Sequence, residues 1–245
     1  MIEVTYIDHM GTDLSVVNAA RVSFGKNSEW DYIDWRDTDD YARKKILSEG
    51  DTKLIKYLAK HKHMSPFGHA FASFHVKAPI FVARQLVKHK FLRWNEISRR
   101  YVDSEPEFYN PEVWRGKSAD KKQGSDGVVD VVDWSDTNWA CLIAYNDLLA
   151  HGVAPEQARM VLPQSTMTEW YWSGSLDAFA DMCKLRCKKD TQWETFLVAV
   201  EISTIMLDLF PVSWASLLGT TETHIRPFDT SERGRASERV QANQA

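Results

Sequence analysis

Cysteine is scarce in this chain of 245 residues: Cys141, Cys183 and Cys187 are the only three, and no Cys-x-x-Cys pair occurs. An odd count without such pairs excludes a disulfide framework and a zinc ribbon, and makes a reducing, cytoplasmic setting the expectation. Cys183 and Cys187, four residues apart, fit one helical face and read as small core thiols rather than a metal or redox pair. No apolar run approaches the ~20 residues needed to span a bilayer. Residues 1–5 lack the basic start and apolar stretch of a secretory signal, so no membrane association is expected. Positive charge is not in surplus either: 30 Lys and Arg stand against 34 Asp and Glu, a formal net charge of −4. That balance argues against a general nucleic-acid binder. Walker A and GxGxxG loops are missing, as are a GxSxG elbow and an HExxH pair. Any phosphate-bearing ligand must therefore be met by side-chain cations.

What is present is ample core material, 44% hydrophobic residues, enough for a packed domain and too much for a disordered chain. Residues 1–227 read as one domain and 228–245 as a polar tail. Asp13 is predicted to cap a helix reaching about Arg21, and Asp51 a second helix carrying Leu54, Ile55 and Leu58. Residues 71–77 read as a strand, and Pro79 as the first residue of a helix running from Ile80 to about His89. Residues 103–136 are polar, with a surface loop predicted over 115–127. A helix from Asp136 should carry Trp139, Leu142, Ile143 and Leu149 and end at Gly152. Pro155 opens a short helix, residues 166–172 alternate as a strand, and Ser175 caps the helix that carries Arg186. Thr191 and Glu194 suggest a capping box for a long helix with Trp193, Leu197, Val200 and Leu207 on one stripe, stopped by Pro211. Strands and helices mix without regular βαβ alternation, which places the fold in the α+β class.

The segment from Ala83 to Tyr101 asks for an explanation. It holds six Lys and Arg, His89 and a single acid, Glu96. A net-acidic chain that gathers cations this way is either building an anion site or carrying a solvated basic helix. Asn95, Glu96 and Ser98 favour the first, because they supply donors and acceptors for a planar polar ring, while arginines suit phosphate oxygens. Arg186 lies on the apolar stripe of Leu176, Phe179 and Cys183, where a guanidinium is costly unless paired or met by a ligand. Arg159 has a similar apolar context. Each of these two arginines could instead be structural. His61, His63 and His69 do not match a zinc spacing and read as polar loop residues, so no metal is expected.

These blocks resemble the flavin-dependent thymidylate synthases. The family signature is Arg-His-Arg, seven residues, then Ser, continuing to Arg-Tyr. Here Lys88-His89-Lys90 is followed, after seven residues, by Ser98 and then Arg100-Tyr101. The resemblance extends through residues 20–24, 63–67 with His69, 77–85, Ala158-Arg159 with Leu162-Pro163, and Leu185-Arg186 with Gln192-Trp193-Glu194. It implies an α+β fold with a central, mostly antiparallel sheet flanked by helices, like that of the thymidylate synthase complementing proteins. A homotetramer is implied as well, with active sites drawn from more than one subunit. FAD, NADPH as reductant, methylenetetrahydrofolate as carbon donor and dUMP as acceptor are also implied. By position, Gln85, Lys88, Glu96, Ser98, Arg100, Arg159 and Arg186 would hold dUMP, with backbone from Ile97 and Arg99. Ser23, His63, Ser65, Lys88, His89, Lys90 and Ser175 would lie along the flavin. Ser98, Arg186, Lys88 and His63 are the candidate catalytic residues.

The residue types suit that chemistry. Methylation at C5 needs an electron-rich uracil ring, and donors at the pyrimidine oxygens stabilise the charge that develops. Cations and histidine favour a reduced flavin's negative charge. Ser98 lacks an obvious base, which ranks ring positioning above nucleophilic attack. Departures from the family pattern are Lys88 and Lys90 for arginine, Arg93 for a small residue, Gly68 for an acid, and Asp177 for a basic flavin contact. Lysine cannot make the bidentate contacts of arginine, which implies looser flavin retention. Arg93 is a candidate to return a guanidinium to the site. Two other readings compete: an enzyme diverged toward another C5 modification of a pyrimidine nucleotide, and a single-stranded nucleic-acid or nucleotide-binding module.

Overall fold

A computed structural model of the protein describes residues 1–37, 40–102, 104–118, 124–130, 134–188 and 190–219. The predicted tail at 228–245 and the domain end at 227 lie outside these residues. In chain order the elements are β1 (Glu3–Met10), α1 (Asp13–Arg21), β2 (Asp31–Asp37), β3 (Asp40–Ile46), α2 (Glu49–Lys60), β4 (Phe71–Pro79), α3 (Ile80–Leu86) and β5 (Leu92–Glu96). There follow β6 (Arg115–Lys117), β7 (Ser125–Val128), α4 (Ser135–Ala150), α5 (Pro155–Ala158), β8 (Met167–Ser175), α6 (Leu176–Arg186), α7 (Trp193–Leu209) and α8 (Pro211–Leu218).

The central sheet has the order β1-β4-β8-β5 and is antiparallel throughout, with separate hairpins β2-β3 and β6-β7. Alternation along β4 buries Ala72, Phe74, Val76 and Ala78, and along β8 it buries Trp170 and Trp172. Such period-2 burial is what a sheet covered on one face requires. The covering layer brings Val16 and Val17 of α1, Ile55 of α2, Leu86 of α3, Phe179 of α6, Ile202 of α7 and Trp214 of α8 into a single core. Phe179 meets Phe74 edge-on at 5.2 Å and Trp172 at 5.5 Å. The opposite face carries Ser73, His75, Glu169 and Ser173; Ser73 and Ser173 join through their hydroxyls at 2.9 Å, and His75 reaches Glu169 at 3.2 Å. The α+β class and antiparallel sheet agree with expectation.

Several local details differ. Thr12, not Asp13, is the N-cap of α1. Asp13 instead accepts from the backbone amides of Val212 (2.9 Å) and Ser213 (2.8 Å), capping α8 from almost two hundred positions away. Ser48 caps α2, which leaves Asp51 to receive Arg21 at 2.5 Å and Ser28 at 3.0 Å. Pro79 closes β4, and α3 stops at Leu86, three residues short of the predicted end. The loop expected over 115–127 contains the β6-β7 hairpin. No capping box forms at α7: Thr191 donates to the Leu185 carbonyl at 3.2 Å, while Glu194 receives Arg115 at 2.6 Å. A guanidinium partner outcompetes a cap amide for a largely buried carboxylate. The buried stripe of α7 is Val198, Ala199, Ile202 and Met206, with Leu197, Val200 and Leu207 only partly covered. On α4, Leu142 is buried but Trp139 and Ile143 face outward.

Asp13→Ala removes both acceptors from the first turn of α8. It should cost about 1–2 kcal/mol in denaturant unfolding, with faster hydrogen exchange at Val212 and Ser213. Unchanged stability would mean that water replaces the carboxylate.

Candidate functional site

The chain after α3 turns sharply. The His89 amide donates to Leu86 O at 3.1 Å, and Phe91 sits at φ 65°. A left-handed conformation costs a non-glycine residue on the order of 1 kcal/mol, and here it leaves Phe91 83% exposed. Lys88 and Lys90 are exposed on the same turn, while His89 points inward. From the last residue of α6, Arg186 donates through Nε to His89 Nε2 at 3.0 Å and through an Nη to Gln85 O at 3.4 Å. The Gln85 amide in turn donates to the Gln192 side chain. An acceptor at Nε2 requires His89 to carry its proton on Nδ1. Burial, then the Arg186 charge, pushes His89 down to about 4. The imidazole is therefore neutral at pH 7 and orients Arg186 without cancelling its charge. Among the described residues Arg186 has no carboxylate partner.

A second group forms where β5 leaves the sheet. β5 lies close on β8 at residue 174, a glycine: a Cβ there would push the Leu92 side chain aside and stand 3.2 Å from the Phe91 carbonyl oxygen. Trp94 stacks on Trp170 (4.3 Å, 17°) and meets Trp172 edge-on (5.7 Å). Two residues further, on the same face, Glu96 is held at both oxygens. Trp94 Nε1 donates to one at 3.1 Å and the Thr168 hydroxyl to the other at 2.7 Å. The Ile97 amide bonds Glu169 O at 2.9 Å. Glu96, Ile97, Arg99 and Arg159 line a cavity of about 120 Å³, with Ile80, Leu162 and Met167 as apolar walls. Ser98 accepts from Arg100 Nε at 3.1 Å, so its partner is a cation rather than a base. Arg93 pairs with Ser173 and occupies the face of the sheet opposite Trp94 and Glu96. It does not return a guanidinium to this cavity.

The remaining candidates lie on other turns. Ser23 falls in the 3-10 turn Val22–Phe24, Ser65 in the turn Ser65–His69, and Ser175 at the start of α6. The Leu176 amide bonds Ala70 O at 2.8 Å, tying the last two regions together. His63 is exposed and meets Tyr57 edge-on at 5.9 Å. Asp177 has one carboxylate oxygen buried without a partner. Among the described residues no cluster of His, Cys, Asp or Glu could hold a metal ion, and no helix is long and apolar enough to cross a membrane.

One chain thus brings together Gln85, His89 and Arg186, and separately Glu96, Ile97, Arg99 and Arg159. The two groups sit at opposite ends of α3, since Ile80 borders the cavity and Gln85 holds Gln192. Their axial separation along the helix is about 7.5 Å. No described contact joins Lys88 or Ser98 to either arginine across that gap. Sequence reasoning missed Trp94 and Thr168 as the residues that orient Glu96. Trp94 was findable, being two positions before Glu96 on a strand; Thr168 needed the β5-β8 register.

The fold and site define an antiparallel α+β protein with an arginine-lined cavity at the edge of its sheet. The sequence matches the family described as Thymidylate synthase complementing protein over residues 5–212. It is similar to the flavin-dependent thymidylate synthase of Thermus thermophilus, with 39% identity over 222 residues, 87% of this chain and 74% of that protein. The flavin-dependent thymidylate synthase of Thermosipho melanesiensis is 36% identical over 222 residues, 86% of this chain and 88% of that protein. A solved structure of the UMP/dUMP methylase PolB from Streptomyces cacaoi, bound with 5-Br dUMP, superposes with a TM-score of 0.72 at 28% identity, covering 93% of this chain and 98% of that one. The chain belongs to the thymidylate synthase complementing protein family.

The depressed His89 pKa has a definite sign. Between about 4 and the ordinary 6.5, the unfolded chain binds a proton that the folded chain refuses, so stability is present above that window and falls on acidification through it. His89→Gln should flatten the loss between pH 6.5 and 4 in thermal melts. A histidine resonance at residue 89 titrating near 6.5 would contradict the burial argument.

Proposed function

We propose that this chain catalyses the FAD-dependent reductive methylation of dUMP to dTMP, with methylenetetrahydrofolate as carbon donor and NADPH as reductant. The observation that carries this reading is the doubly anchored Glu96 beside Arg159 in a cavity within the matched motif. A fixed carboxylate accepts an N–H of a pyrimidine or its sugar hydroxyl, while a guanidinium takes phosphate oxygens. Ile97 and Arg99 offer backbone at the same rim. Arg186, oriented by neutral His89 and without a carboxylate partner among the described residues, would donate to a pyrimidine oxygen and stabilise the negative charge that develops as C5 becomes nucleophilic. Ser98, bonded to Arg100, would position the ring.

The residues on the expected flavin side fit a planar anionic group: exposed Lys88 and Lys90 supply charge, and exposed Phe91 an aromatic face. Ser23, His63, Ser65 and Ser175 would add hydrogen bonds. Bound flavin would supply the reducing equivalents and relay the carbon unit. Lysines in place of bidentate arginines, and Asp177 nearby in sequence to Ser175, support weak retention on purification. A visible spectrum should show less than stoichiometric flavin that added FAD restores. Tritium release from C5-labelled dUMP should then require FAD, NADPH and the folate donor. Release without FAD, or none under any condition, would overturn the reading.

The site is incomplete within one chain. Small-molecule pockets commonly occupy about 300–1,000 Å³, against a cavity of about 120 Å³ here, and Arg186 is held at the far end of α3. These facts support a homotetramer in which Gln85 and Arg186 of one copy face Glu96, Ser98, Arg100 and Arg159 of another. Arg159→Ala and Arg186→Ala should each abolish turnover. Co-assembled, they should recover about one quarter of wild-type activity, because random pairing leaves that share of shared sites intact. No recovery in a verified mixed oligomer would place both arginines in one subunit's site.

A further inference from the structure

We propose that the side chain of Arg99, and not only its backbone, binds the substrate phosphate together with Arg159. This rests on the reading of the β5 cavity as a pyrimidine monophosphate site. Both guanidinium-bearing residues line that cavity. Arg99 Nη1 donates to the Ser104 carbonyl and lies 3.5 Å from the Ser104 hydroxyl. That anchor fixes the plane of the group. Its Nε is buried and has no hydrogen-bond partner, a state that a charged donor tolerates poorly unless a ligand supplies the acceptor. With Nη1 committed, the Nε and Nη2 edge remains, and that edge is the fork that matches two phosphate oxygens.

The local carboxylates do not compete for it. Glu107 feels the charge of Arg99, but both its oxygens are on Lys77 Nζ, at 2.7 and 3.0 Å. Glu96 shares the cavity, and its oxygens are taken by Trp94 and Thr168. Arg159 donates from Nε to the Glu156 carbonyl, at 3.3 Å. Among the described residues neither arginine has an ion-pair partner. Two guanidinium groups without a direct ion pair, one with a buried vacant donor, outnumber the single carboxylate of Glu96 at one small cavity and call for a multivalent anion. A phosphate monoester dianion supplies the oxygens for both.

The test compares dUMP with deoxyuridine, which lacks the phosphate, by calorimetry on the flavin-loaded wild type and on Arg99→Ala and Arg99→Lys. Loss of a charge-assisted bidentate contact should weaken dUMP binding about 10- to 100-fold in Arg99→Ala. Deoxyuridine binding should change by less than about twofold, and Arg99→Lys should recover only part of the dUMP loss because a point charge lacks the fork. Unchanged dUMP affinity in Arg99→Ala overturns the proposal. An equal loss for dUMP and deoxyuridine overturns it too, because it assigns Arg99 a structural role. Wild-type protein that binds neither ligand is a different result: it removes the parent reading of the cavity, and the proposal with it.

Discussion

The pairing of β5 with β8 is the constraint on which the candidate site depends. β5 is a five-residue edge strand, too short to hold its place by backbone bonds alone. Two features secure it. Gly174 leaves room where a Cβ would crowd the Phe91 carbonyl at 3.2 Å and displace the Leu92 side chain, and Trp94 completes an aromatic group with Trp170 and Trp172. Aromatic pairs of this kind contribute roughly 0.5–1.5 kcal/mol each beyond simple burial. The same indole that anchors the strand also donates to Glu96. Packing and site geometry are thus coupled through one side chain, and a shift of β5 would displace the carboxylate with it.

Charge is arranged by the same economy of parts. His89 and Arg186 lie ninety-seven positions apart and form one hydrogen-bonded pair. A carboxylate in place of the imidazole would have neutralised the guanidinium and left little pull on a ligand. A protonated imidazole would have repelled it. Burial resolves the choice by keeping His89 uncharged, so that Arg186 is oriented and still fully cationic. Glu96 is treated in the opposite way: its neighbours are neutral donors, which fix its direction and leave its negative charge in place.

Much of this was legible in the sequence, and the reasons for the remainder are physical. Aromatic and β-branched residues identified β4, alternation identified β8, and Pro211 marked the end of α7; the helix α8 that follows it was not anticipated. The motif residues were readable because their chemistry is unusual for an acidic chain. Caps were less readable, because Asp13 and Glu194 serve partners distant in sequence, α8 and Arg115, that no local pattern reveals. The face of α7 was ambiguous because that helix is apolar nearly all round, so periodicity could not select a side. Thr168 became visible only through strand register. Within one chain, strand register and packing bring His89 to Arg186 and set Arg159 beside Glu96, juxtapositions that no spacing along the sequence displays.

Those halves are matched by what the chain leaves uncovered. Phe24, Phe91, Tyr101 and Met160 are each more than three-quarters exposed. Every one of them directly follows a candidate site residue: Ser23, Lys90, Arg100 and Arg159. Isolated exposed apolar side chains are ordinary on protein surfaces, but ordinary exposure has no reason to track ligand-binding positions. A site finished inside one subunit would bury such neighbours in its own walls. Their exposure, and the division of the arginines between the two ends of α3, support the proposed cleft, whose second wall would come from another copy of the chain and from the ligands it would enclose.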